Sequence, residues 1–77
     1  MIGEMIKRWR ESAGKTQAQL GLSIGVSQKA ISMYETGQRT PALSVVAAIA
    51  AECDIAEDSA EFQAARQEIV KIALARL

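Results

Sequence analysis

Histidine is absent from this 77-residue chain. Its absence removes the commonest metal ligand and the usual proton carrier near neutral pH. One cysteine, Cys53, excludes both a disulfide framework and a cysteine metal cluster, and it fits a reducing compartment. There is no phosphate-binding loop either, so an enzyme is the poorest reading. No cofactor, metal or small-molecule ligand is expected. The longest apolar run, Val45 to Ala51, is far too short to span a bilayer. Charged residues begin at Glu4 and continue through Lys7, Arg8 and Arg10, which is not a signal-peptide layout. A cytoplasmic location without membrane attachment is the expectation. Proline occurs once and glycine five times, while Ala, Leu, Ile and Val run throughout. That composition favours an all-α fold, and the length allows one domain spanning residues 1–77.

The formal net charge is zero, which at first argues against a nucleic-acid partner. Dividing the chain changes the picture. Residues 1–40 carry six basic groups against three acidic ones, a net +3, and residues 41–77 carry the reverse. A basic first half can approach phosphate while an acidic second half faces away.

Periodicity and punctuation predict five helices. Met5, Ile6, Trp9 and Ala13 form the apolar stripe of a helix over about 2–13, which Gly14 ends. Thr16-Gln17-Ala18-Gln19 has capping-box spacing and opens a second helix with Leu20 and Ile24 inward, stopped by Gly25. Ser27 caps a third helix that runs to Glu35 or Thr36 before Gly37. Thr40-Pro41 reads as the N-cap and first position of a fourth, about 41–53, with Leu43, Val46, Ile49, Ala50 and Cys53 inward. Asp58-Ser59-Ala60-Glu61 starts a fifth over about 59–76.

Only Gly25-Val26-Ser27 joins the second and third helices, so they must cross steeply. Leu20, Ile24, Val26, Ile31 and Tyr34 then meet inside. Gly21 falls where the two backbones should approach most closely. Gln28, Lys29, Ser32 and Met33 are left on the outside of the third helix.

At this point the chain resembles a known family. QAQLGLSIGVSQKAISMY, from Gln17 to Tyr34, is similar to the helix-turn-helix of the Cro and phage-repressor-like (XRE-type) regulators. The flanks IKRWRESAGKTQAQL and YETGQRTPALSVVAAIAAECDI resemble the family's first helix and its loop and fourth helix. The resemblance runs from Ile6 to Ile55, about two-thirds of the chain, and departs from the family at Gly21, where alanine is usual. It implies a five-helix, lambda-repressor-like domain with the third helix in the major groove of double-stranded DNA. Gln28, Lys29, Ser32 and Met33 would read bases. Gln17, Ser27, Lys15, Gln38, Arg39 and Thr40 would contact phosphates. Arg10 and Glu35 occupy the positions of a partly buried structural ion pair in that family, so Arg10 is kept out of the DNA contacts.

Plainer readings hold for other residues. Trp9, between Arg8 and Arg10, has the spacing of a core residue rather than a stacking platform, and Cys53 that of a small core hydrophobe. Asp54, Glu57, Asp58 and Glu61 read as a solvated acidic loop.

The fifth helix carries two apolar strips. Phe62, Ala65, Ile69 and Ile72 form one, and Val70, Ala73, Leu74 and Leu77 the other. Two strips call for two partners, the domain's own core and a second copy. Residues 59–77 are therefore a candidate dimerisation element, drawing on Phe62, Ile69, Val70, Ile72, Ala73, Leu74 and Leu77. The leading expectation is a dimeric repressor of phage Cro or immunity type on a near-palindromic operator. The alternative is an antitoxin-type autoregulator that binds a protein partner through its acidic C-terminal half.

Overall fold

The computed structural model describes residues 1–76. Five helices follow in order: α1 (Ile2–Ser12), α2 (Gln17–Ile24), α3 (Gln28–Thr36), α4 (Leu43–Glu52) and α5 (Ala60–Ala75). No strand occurs among the described residues.

Local chemistry sets most of the boundaries. The capping box at α2 is complete: Thr16 Oγ1 accepts from the Gln19 N–H at 3.0 Å, and Gln19 Oε1 accepts from the Thr16 N–H at 2.8 Å. Ser27 and Ser59 cap α3 and α5 by accepting from Ala30 and Phe62. Gly25 and Gly37 close α2 and α3 in the left-handed conformation, with φ of 79° and 82°. A side chain is disfavoured there, which is why glycine serves as the stop signal.

The start of α4 departs from expectation. Thr40 does not cap it and Pro41 is not its first residue. Ala42 is the N-cap, with no side-chain cap bond, and the helix begins at Leu43. Pro41 is buried in the extended segment just before the helix. Leu43, expected inward, is 37% exposed in the first turn. The end of α4 holds another surprise. Asp54 adopts φ of 58° while the Ile55 N–H donates back to the Ala50 carbonyl at 2.8 Å. An aspartate thus makes the left-handed exit that glycine makes elsewhere, a conformation its short polar side chain tolerates.

Ile6, Leu20, Ile31, Val46 and Ile49 are fully buried and come from α1 to α4. Phe62 and Ala65 of α5 close the same core, joined by Trp9, Tyr34 and Cys53. Each large aliphatic buried in this way contributes about 1.5–3 kcal/mol. Phe62 was a dimerisation candidate, yet at 6% exposure it belongs to the core.

One close contact has no signature in the sequence. A Cβ on Gly3 would lie 2.4 Å from the Tyr34 carbonyl oxygen and 2.6 Å from that of Glu35. The start of α1 therefore rests directly on the last turn of α3. Gly3→Ala should cost about 1–3 kcal/mol through overpacking, read from the urea midpoint. An unchanged midpoint would mean that α1 can slide away from α3 at no cost.

Candidate nucleic-acid interface

The interface is built by the turn between α2 and α3. A Cβ on Gly21 would meet the Val26 carbonyl oxygen at 2.6 Å. The glycine lets the turn fold back on α2, and the Val26 N–H donates to the Gly21 carbonyl at 2.9 Å. Ile24 and Val26 pack against the core from the turn, and Ile31 and Tyr34 are buried on the inner side of α3. Burial of that side fixes the opposite one. Gln28 and Lys29 are exposed, and Ser32 and Met33 are half-buried beside them. The four expected base readers thus share the outward face of one short helix.

The expected phosphate contacts are more varied in their surroundings. Ser27 is exposed and its oxygen caps α3, leaving its hydroxyl proton free to donate outward. Gln38 and Arg39 are exposed and Thr40 is half-buried. Their loop is anchored by the Arg39 N–H, which donates to the Met33 carbonyl at 3.2 Å. Lys15 is half-buried and reaches toward Glu52 at the end of α4, with Nζ 3.9 Å from the carboxylate. Gln17 is also engaged: its Nε2 donates to Glu35 Oε1 at 3.1 Å.

That contact belongs to a larger cluster. Arg10 Nε donates to Glu35 Oε2 at 2.6 Å and its Nη2 to Oε1 at 3.1 Å, a bidentate pair. Arg10 Nη1 donates to the Lys15 carbonyl at 2.9 Å. One guanidinium therefore joins α1, the segment before α2, and the end of α3. Burial pushes the Glu35 carboxyl up, but the hydrogen bonds from Arg10 and Gln17 and the Arg10 charge outweigh it and hold it below the usual range. The hydrogen bond to Glu35 raises Arg10 against the opposing effect of burial. Burial raises the Cys53 thiol, which keeps it protonated in the core.

On α5, Ile69 and Ile72 are half-buried against the core, while Val70, Ala73 and Leu74 are exposed. Leu77 lies outside the described residues. Leu43, Ala47, Phe62, Gln63 and Arg66 line a shallow depression between α4 and the start of α5. The carboxylates Glu52, Asp54, Glu57, Asp58 and Glu61 are exposed. No helix among the described residues is long and apolar enough to cross a membrane.

Two short helices joined by a glycine turn, with the polar face of the second directed outward, define a DNA-binding helix-turn-helix domain. A sequence model of the helix-turn-helix family matches residues 6–59. The chain belongs to that family, the Cro/C1-type DNA-binding transcription regulators, which is not a family of enzymes. No curated protein and no solved structure matches the chain significantly.

The Arg10–Glu35 cluster carries a pH signature. Its contribution is present in full above the unfolded glutamate pKa of about 4.3. It is lost as pH falls through the lower folded-state value. Glu35→Gln is expected to cost about 1–3 kcal/mol near pH 7, with the gap to wild type narrowing at acid pH as the wild-type carboxyl protonates. Urea midpoints at neutral and acid pH check this, and an equal gap at both would remove the linkage.

Proposed function

We propose that the protein is a dimeric, sequence-specific repressor of phage Cro or immunity type, acting on a near-palindromic operator. The supporting observation is the outward face of α3, where Gln28, Lys29, Ser32 and Met33 stand together on a helix whose other side is locked into the core. In the major groove, Gln28 is suited to the N6/N7 edge of adenine and Lys29 to the O6/N7 edge of guanine. Ser32 adapts to either, and Met33 packs against a thymine methyl. Ser27, Gln38, Arg39 and Thr40 flank α3 and contact phosphates, as does Gln17 at the start of α2. Lys15, partly committed to Glu52, makes the weaker contribution.

The dimer reading rests on α5. Val70 and Leu74 are 39% and 63% exposed, and Ala73 lies on the same strip. A domain this small gains more from covering such a strip than a large one does. A two-fold pair would set two α3 helices about one DNA turn apart, roughly 34 Å.

Selection from a random duplex pool tests the whole reading. A palindrome with half-sites about ten base pairs apart is expected. Absence of any enriched sequence would overturn it and favour a protein partner on the acidic half. With the selected site in hand, Lys29→Ala should cost about 1–3 kcal/mol and relax preference at one base pair per half-site. Equal losses on selected and random DNA would contradict its base-reading role. Leu74→Glu should shift the protein to monomer in sedimentation equilibrium at micromolar concentration while leaving its helical circular dichroism unchanged. A dimer that persists would place the interface elsewhere.

A further inference from the structure

Glu35 does more in this geometry than pair with Arg10. It also accepts a hydrogen bond from Gln17, a half-buried residue at the first position of α2. We propose that Glu35 is a positioning residue for DNA: its carboxylate fixes which way the Gln17 side-chain amide faces. The proposal rests on the reading of Gln17 as a phosphate contact.

A glutamine amide has a donor end and an acceptor end. Only the donor end attracts a phosphate, and the carbonyl oxygen repels it. A glutamine free at a surface flips between the two. An ionised carboxylate removes that freedom, because it accepts hydrogen bonds and donates none. The Gln17 nitrogen must therefore face Glu35, and its second N–H remains available. The N–H groups of Gln17 and Ala18 stand at the same end of α2. Neither has an intrahelical acceptor, whereas those of Gln19 and Leu20 are taken by Thr16.

Arg10 makes the arrangement workable. A bare carboxylate beside a phosphate site would repel the phosphate. The bidentate guanidinium at 2.6 and 3.1 Å neutralises Glu35 and pins its oxygens. The three side chains act as a chain of orientation: Arg10 holds Glu35, and Glu35 holds Gln17.

Glu35→Gln removes a negative charge, so long-range electrostatics alone predicts tighter DNA binding. Positioning predicts weaker binding, because a neutral amide at position 35 can present either end to Gln17 and no longer fixes its flip.

A double-mutant cycle on the full chain reads this directly. The probe is a mixed-sequence duplex of about two helical turns at low salt, with each variant shown to be folded by circular dichroism under the same conditions. Gln17→Ala is expected to weaken binding by about five- to tenfold. Glu35→Gln should weaken it by a similar factor, and the double variant should bind no worse than the weaker single one. If Glu35→Gln does not fold, Glu35→Asp replaces it: the charge for Arg10 stays while the shorter chain withdraws its oxygen from Gln17. Unchanged or tighter binding by the position-35 variant, or additive losses, would overturn the positioning role while leaving the phosphate contact standing. Unchanged binding by Gln17→Ala would overturn the phosphate contact itself, and the positioning role with it.

Discussion

The bidentate pair between Arg10 and Glu35 is the constraint on which the rest of this small domain depends. It crosses 25 residues of sequence and joins α1 to the end of α3, with Arg10 also holding the Lys15 carbonyl. A pair this enclosed adds little net stability, because both charges lose water. Its effect is geometric. Few relative placements of α1, α2 and α3 let one guanidinium make these three hydrogen bonds to a carboxylate and a carbonyl together. No buried side-chain polar atom among the described residues lacks a partner, so the cluster is closed rather than strained.

Two close approaches work with it. Gly21 admits the Val26 carbonyl against α2, and Gly3 admits the last carbonyls of α3 against α1. Both contacts would be blocked by a methyl group unless the backbones moved. Together they seat α3 tightly enough for burial of Ile31 and Tyr34 to decide which side faces out. The outward face of α3 is thus defined by what its opposite side must bury, and it needs no interaction of its own in the free protein.

The charge asymmetry has a structural counterpart. The acidic groups cluster from the end of α4 into α5, and one of them, Glu52, draws Lys15 toward itself. Lysine is a flexible point charge that follows the nearest carboxylate. A basic residue in the first half of the chain therefore does not automatically serve DNA. In the same way α5 divides its apolar residues between two faces. Phe62, Ala65, Ile69 and Ile72 face the core, and Val70, Ala73 and Leu74 face outward.

What the sequence determined by itself was everything carried by local chemistry. The caps at Thr16 and Ser27, the glycine stops at Gly25 and Gly37, and most inward positions of the helices, Ala13 and Leu43 excepted, depend on residues within a turn or two. Spacing records such contacts directly. The tertiary structure alone decided the rest. Pro41 carries the same start signal wherever it stands, but here it is buried ahead of the helix and α4 starts at Leu43. Asp54 makes a left-handed exit that returns the Ile55 N–H to the Ala50 carbonyl. Gly3 became a contact point, and Gln17 turned toward Glu35, across separations that no periodicity encodes. A short-range pattern fixes which groups are presented. Which distant group they meet is set only when the helices pack, because that partner lies nearby in space and far away along the chain.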